Sequence, residues 1–392
     1  MKTLKRTWAD ISLDNLEYNY RSIRAHLPQG TKFLGVMKAD AYGHGAVPVS
    51  RALADLGAEY LAVSNLEEAV QIRRGEVRLP ILILGYTPAE YAANMIFLDI
   101  TQEVHSLEYA RELNEALAGT NYILNVHLKL DTGMTRIGFF AYDNERTLDE
   151  LRQVAQLPHL HIEGVFMHFC VADSRAEADV SFTKLQYKRF MDMLSAMAGV
   201  GIRPEIRHCC NSGATILYPE FALDMVRPGI ITYGNAPSDE LEGALSLRPM
   251  MSLHSMIVQV RTVPAGTDIS YGRLYRTKEE TRVAVLPIGY ADGLSRLLTG
   301  KASFYLQGHQ VPVIGRICMD MCMIDVSGVP ETKPGDVVTI FGYDDDGTLL
   351  PCERLARAQG TINYELLCQI SKRIPRICHR GAETSQILQY IV

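Results

Sequence analysis

Between residues 33 and 230 the chain alternates short apolar runs with stretches whose apolar residues recur at helical spacing. The strand-length runs are FLGVM (33–37), YLAVS (60–64), PILILG (80–85), MIFLDI (95–100), YILNVHLKL (122–130), HIEGVFMHF (161–169), EIRHCC (205–210) and DMVR (224–227). Between them, Leu107, Ala110, Leu113 and Leu117 fall on one helical face, with Ser106 placed as N-cap and Gly119 as a stop. Leu148, Leu151 and Val154 repeat that pattern before Pro158. Strands that are each followed by a helix or a short turn predict a (β/α)8 barrel of the TIM type. A doubly wound open sheet would need fewer units and a glycine-rich first turn, which is missing here.

Near residue 235 the pattern changes. NAPSDELEGALSLR (235–248) is polar and contains proline and glycine. Short runs follow it: SLHSMIVQVRTV, RVAVLPIGY, ASFYLQ, QVPVIGRICM and DVVTIFGY, with turn signals at Pro-Ala-Gly (264–266) and Pro-Gly-Asp (334–336). One helical stretch lies around 352–372. The expectation is an α/β + β protein, with an N-terminal barrel domain over residues 1–240 and a mostly β C-terminal domain over 241–392.

Composition narrows the class. Of 392 residues, 47% are hydrophobic and 21% charged, which excludes a disordered chain and supplies a large core. The net charge of −6 leaves no electrostatic footprint for nucleic acid. The N-terminal MKTLKRTWADISLDN has no apolar leader, and no stretch approaches the ~18 apolar residues of a membrane span. Eight cysteines are scattered without a CxxC pair, so reduced thiols in a cytoplasmic protein and no metal site are expected.

In a barrel of this kind the chemistry sits at the C-terminal ends of the strands. Lys38 follows the first run, Lys129 and Asp131 end the fifth with Arg136 in the loop beyond, His168 follows the sixth, Asn211 and Ser212 the seventh, and Arg227 the eighth. All would gather at one mouth. Asn125, His127 and Lys129 share one face of the fifth strand, and leucines and valine share the other, so the polar face points into the barrel. A desolvated lysine among other cations becomes a nucleophile able to form a Schiff base. Taken singly, Lys38 equally fits a solvated loop lysine, Arg227 an ion pair and His168 a satisfied buried histidine.

Taken together, these segments resemble a known family. VMKADAYGHG (36–45) is similar to the pyridoxal phosphate signature of the alanine racemases. Similar segments follow in order: LKLDTGMTRIGF (128–139), Asn-Ser-Gly-Ala (211–214), MVRPGIITYG (225–234), DISYGRLY (268–275), LPIGYADG (286–293), GRICMDMCMIDV (315–326) and INYELLCQISKRIPR (362–376). The resemblance implies an isomerase that interconverts L- and D-alanine, supplies D-alanine for peptidoglycan, and works as a cytoplasmic homodimer with shared active sites. Its cofactor would be pyridoxal 5′-phosphate and its partner a small amino acid, with neither nucleic acid nor membrane involved.

The resemblance also implies roles. Lys38 is the cofactor lysine and one of two acid/base groups; Tyr271, from the partner subunit, is the second. His168 and Arg227 lower the tyrosine's proton affinity, and Arg227 faces the cofactor's ring nitrogen with His208 supporting it. Tyr42, Ser212, Gly229 and Ile230 hold the phosphate. Arg136 and Met319, with Asp320 beside it, contact the substrate carboxylate, and Asp173, Tyr290 and Arg296 line the access corridor. Lys129, close to Arg136, is a candidate for carbamylation. One departure stands out: Lys372 occupies a position where some alanine racemases carry a tyrosine. That keeps a serine or broad-range racemase as an alternative. A non-catalytic pyridoxal phosphate carrier and a two-domain decarboxylase are others, which the ISYG and RICMD segments disfavour.

Overall fold

The structure, a computed structural model, describes residues 6–142 and 144–391. It divides into two compact units. One holds Leu16–Ala41 and Val49–Arg248; the other holds Tyr42–Pro48, Pro249 onward and the described residues before Leu16.

The first unit is the barrel. Its strands are β1 (Lys32–Val36), β2 (Tyr60–Val63), β3 (Ile81–Ile83), β4 (Ile100–Val104), β5 (Leu124–Asp131), β6 (Leu160–Phe166), β7 (Ile206–His208) and β8 (Met225–Val226). Each pairs in parallel with the next from β1 to β7, and β8 pairs in parallel with β1. Backbone hydrogen bonds from Asp224 N to Arg207 O (3.0 Å) and from Arg227 N to Cys210 O (2.9 Å) join β7 to β8 and close the ring.

The fourth strand differs from the sequence expectation. The apolar run at 95–100 is mostly helix, Ala92–Phe97, which buries Ala92 and Met95. The strand proper is ITQEV, whose Thr101, Gln102 and Glu103 are buried. A barrel strand that turns polar side chains inward lacks the apolar signature of a buried strand, and the adjacent helix carries it instead. The helix Leu107–Ala116 forms as expected: Ser106 caps it by accepting from Tyr109 N, and Leu107, Ala110, Leu113 and Leu117 are buried. Leu151 and Val154 are likewise buried on the helix Asn144–Ala155.

The second unit is mostly β. Its main sheet runs, in spatial order, through Gln259–Val263, Thr281–Leu286, Cys322–Asp325, His309–Ile314, Ser303–Leu306, Val337–Tyr343, Met251–Met256, Thr7–Ser12, Arg376–Arg380 and Glu383–Leu388. Thr7–Ser12 is antiparallel to Met251–Met256 and parallel to Arg376–Arg380. The run SLHSMIVQVRTV divides into two strands, and the helical stretch near 352–372 is two helices, Cys352–Gln359 and Asn363–Cys368, parted at Gly360 with φ 82°. No helix among the described residues is long and apolar enough to cross a membrane.

Candidate active site

Lys38 leaves the end of β1 on an unusual turn. Ala39, Asp40, Ala41 and Tyr42 all take left-handed conformations with φ between 52° and 55°. Four consecutive non-glycine residues in that region cost about 1–2 kcal/mol each, so the surrounding structure must hold them. Glu68 supplies part of that hold, accepting from Ala39 N (2.7 Å) and Ser64 N (2.8 Å). Glu68 was not singled out from the sequence, although Asn65-x-x-Glu68 at the start of Leu66–Arg74 has the spacing of a helix-capping pair.

Arg227 is the centre of the barrel mouth and 3% exposed. Its Nη1 donates to His208 Nδ1 (3.0 Å) and His208 O (3.1 Å). Its Nη2 donates to Met167 O (2.7 Å), Cys209 O (3.1 Å) and, more weakly, His168 Nδ1 (3.4 Å). The remaining donor, Nε, has no hydrogen-bond partner among the described residues. Burial lowers the guanidinium to about 10, so it stays charged near neutrality. Lys129, on β5 and 4% exposed, donates to Leu130 O (3.0 Å) and lies 5.2 Å from the centre of the Phe166 ring. Burial, then the charges of Arg227 and Arg136, pull its amine down to about 7. His168 is held well below its ordinary value by desolvation and by the charges of Arg227, Lys129, Arg136 and Lys38. The structure thus brings together Lys38, Lys129, Arg136 and Arg227 around one neutral imidazole.

Neighbouring backbone shapes the rest of the mouth. Asp131 Oδ1 accepts from Gly133 N (2.9 Å) and Thr135 N (3.0 Å), which fixes the loop carrying the exposed Arg136. Ser212, buried at the start of Ser212–Leu217, accepts from Gly229 N at 2.9 Å, with Ile230 next in the chain. Asp173 is half-buried, and burial raises its carboxyl.

The remaining sequence-derived residues lie on the β-rich unit. Tyr42 is buried with its ring 5.9 Å from that of Tyr364, and burial raises its hydroxyl. Tyr271, Tyr290 and Met319 are 71%, 43% and 53% exposed. They are nonetheless tied together. Ser270, with φ 66°, donates from Oγ to Arg316 O (2.7 Å) and so sets the Tyr271 turn against the segment leading to Met319. Tyr290 N and Ala291 N donate to Cys318 O and Met319 O, both at 3.0 Å. A Cβ on Gly289 would fall 2.3 Å from each of those carbonyl oxygens, so only glycine allows this approach. Arg296 opens a short 3-10 turn. Two braces were missed from the sequence: Asp292, fully buried, accepts from Gly289 N (3.0 Å) and pairs with Arg6 (3.2 Å), and Arg373 pairs with Asp320 (2.8 Å). Both lie inside segments that carry the family resemblance, yet their bracing role appears only in the fold.

The geometry defines a barrel enzyme whose mouth gathers an amine, a buried guanidinium and a neutral imidazole, a set suited to a small anionic ligand. Comparison with known proteins is specific. The alanine racemase N-terminal domain family matches residues 11–237, and the C-terminal domain family matches 250–378. The alanine racemase of Desulfovibrio desulfuricans is 46% identical over 370 residues, 94% of this chain and 97% of that protein. That of Clostridium tetani is 42% identical with both chains covered completely. The solved alanine racemase of Clostridium difficile 630 superposes with a TM-score of 0.93 at 40% identity, covering 100% of both chains. One from Bacillus anthracis, solved with bound L-Ala-P, gives 0.92 at 34% identity, covering 100% of this chain and 99% of that one. The chain belongs to the alanine racemase family.

Proposed function

We propose that this protein racemises alanine with pyridoxal 5′-phosphate as cofactor. The observation that carries the reading is Arg227: a buried, charged guanidinium with its Nη groups bound to protein acceptors and its Nε donor left over. Among the described residues Nε is the one N–H group of this guanidinium not committed to a protein acceptor, and an aromatic ring nitrogen supplies an acceptor of the right kind. The cations converging on His168 suit an anionic cofactor, and Ser212 with the Gly229 amide suits its phosphate. The residues present therefore fit the group.

When bound, pyridoxal phosphate supplies an electron sink that acidifies the α-proton of an attached amino acid. Lys38 would carry the cofactor through its Nζ and, as a free amine, take or return the α-proton on one face. Tyr271 Oη, supplied by a partner subunit, would do the same on the other face, with His168 and Arg227 favouring its ionised form. Arg227 cannot give up its own proton, so it would donate a hydrogen bond at the ring nitrogen without protonating it and would moderate the sink. Ser212, Tyr42 and the amides of Gly229 and Ile230 would hold the phosphate. Arg136 and Met319 would orient the substrate carboxylate, and Asp173, Tyr290 and Arg296 would line the access corridor. Lys129, neutral for much of its population near pH 7, has the free amine that carbon dioxide requires. Its carbamate would replace a cation between Arg136 and Arg227 by an anion.

The working unit would be a cytoplasmic homodimer with shared active sites, making D-alanine for peptidoglycan. The test is direct. Purified protein is incubated with pyridoxal phosphate and L-alanine or L-serine, and products are resolved by chiral chromatography. D-alanine formed well ahead of D-serine is expected. Comparable or dominant D-serine would move the substrate to serine or a broad range. Neither product, with cofactor bound at Lys38, would overturn the enzyme in favour of a carrier.

A further inference from the structure

Below the barrel mouth, Arg227 begins a continuous buried chain of hydrogen bonds. His208 Nδ1 accepts from Arg227 Nη1 (3.0 Å), His208 Nε2 lies 2.9 Å from His127 Nδ1, and His127 Nε2 lies 3.1 Å from Glu163 Oε2. The Glu163 carboxylate also accepts from Tyr60 Oη (2.8 Å) and Thr101 Oγ1 (3.2 Å). Both histidines are fully buried.

The direction of this chain follows from one fact. Arginine can only donate, so His208 Nδ1 must accept. A neutral His208 then carries its proton on Nε2 and donates to His127 Nδ1, which places the His127 proton on Nε2, aimed at Glu163. A carboxylate suits that last position because it only accepts. The relay therefore runs one way, from a fixed cation to a fixed anion, through two neutral imidazoles. Burial, with the Arg227 charge behind it, holds His208 well below its ordinary value; burial also lowers His127. Burial works to raise Glu163, but hydrogen bonds from His127, Tyr60 and Thr101 overcome it and keep the carboxyl below its ordinary range.

The backbone is adapted to the same end. Along β5 and β6, Val126 is opposite Ile162 but His127 is opposite Gly164, so Glu163 is an extra residue at a bulge. Bulges re-aim a side chain. Gly164 makes room for the ring beside it, because a Cβ there would fall 2.5 Å from His127 Cε1.

We propose that Glu163 is a positioning residue: through His127 and His208 it fixes the tautomers of the relay and holds the Arg227 guanidinium in place as its remote counter-charge. The relay stands on the hydrogen bonds alone; its effect on turnover rests on the reading of Arg227 at the cofactor.

The experiment uses holoenzyme labelled with 15N-histidine, in wild type, Glu163→Gln and Tyr60→Phe, with signals assigned through His127→Gln. Wild type should show His127 and His208 as neutral Nε2–H tautomers. Glu163→Gln should shift both signals and lower kcat about tenfold with KM changed less than about twofold, as expected for removal of a remote coupled charge. Tyr60→Phe, which removes a brace but leaves the carboxylate, should leave the tautomers and kcat close to wild type. A doubly protonated or Nδ1–H His127 in wild type overturns the relay. Equal losses in Glu163→Gln and Tyr60→Phe overturn the positioning role in favour of a strand tie, as do shifted signals with unchanged kcat. Intact relay signals in a wild-type protein that makes no D-amino acid would sink the proposed function while leaving the relay standing.

Discussion

The barrel mouth and the Tyr271 edge of the β-rich unit hold their chemical groups in opposite ways. In the barrel, Arg227, Lys129 and His208 are almost entirely buried and act on one another through a low-dielectric interior. Their properties are set before any ligand arrives. On the β-rich unit, Tyr271, Tyr290 and Met319 are exposed, and what fixes them is backbone geometry: the left-handed Ser270 and the contact of Gly289 with Cys318 and Met319. One region stores electrostatics and the other stores shape. Substitutions should therefore fail differently in the two places.

The largest effects test the chemistry on each side. Lys38→Ala should abolish covalent capture of pyridoxal phosphate and cut racemisation by about 10^4-fold or more, the upper range for removal of an acid/base group. Borohydride reduction followed by mass analysis checks the capture. Tyr271→Phe should keep the bound cofactor, lower turnover by about 10^2- to 10^4-fold, and slow solvent deuterium uptake from one enantiomer far more than from the other. Equal losses from both enantiomers would contradict a base on each face.

Next come two glycines that break the comparison cleanly. Gly289→Ala places a methyl against two backbone carbonyls that cannot move independently, and overpacking of that kind costs about 1–3 kcal/mol. Thermal melting should fall, and activity should fall with it through displacement of Met319. Gly164→Ala meets the His127 ring instead. Here the signature should be lost histidine tautomer order at a smaller change in melting. If both variants lost only stability, the division between stored shape and stored electrostatics would be wrong.

These two regions also differ in how much of them could be read from sequence. The barrel was legible because its helices are amphipathic and its functional groups follow strand ends at regular intervals. The fourth strand was not, because its Thr101, Gln102 and Glu103 are buried polar residues and the apolar run belongs to the helix before it. Arg227 was legible as part of the segment MVRPGIITYG, and His208 as part of the strand run before it. Glu163 was not, since its place in the relay depends on a one-residue bulge that no periodicity reveals. On the β-rich unit the motif segments stood out, but within them Asp292 and Arg373 read as ordinary charges that become braces only when segments distant in sequence meet. The strand Thr7–Ser12 gave no hint that it pairs with segments more than 240 residues away.

Lys129 sharpens the electrostatic side further. Its amine is lowered to about 7 from 10.5, mainly by burial. Between those values the unfolded chain binds the proton that the native state refuses, so stability should rise with pH across about 7 to 10.5 and the penalty should be complete below about 7. Lys129→Met should therefore stabilise the protein more at pH 6 than at pH 10, measured by denaturant unfolding. Carbamylation reverses the sign: an anion between Arg136 and Arg227 would make the same substitution destabilising when bicarbonate is present. A carbamate 13C signal after incubation with labelled bicarbonate identifies which state is populated.

The smallest expected effect concerns Lys372. It is exposed, and its Nζ lies 5.6 Å from the centre of the Tyr390 ring, which also lies 5.4 Å from Arg376 Cζ. Exposed cation–π contacts contribute only about 0.5–1 kcal/mol, so Lys372→Tyr should leave melting nearly unchanged. Any consequence should appear in specificity. A pocket that does not hydrogen-bond a hydroxyl rejects serine relative to alanine by only about 100-fold, and one wall residue accounts for part of that. The ratio of L-alanine to L-serine turnover should thus move by about threefold to tenfold in Lys372→Tyr, with cofactor affinity measured in parallel. A matched fall in cofactor affinity with an unchanged ratio would assign Lys372 to the phosphate. A changed ratio at constant affinity would assign it to the substrate side chain and make it a determinant that the β-rich unit contributes by shape.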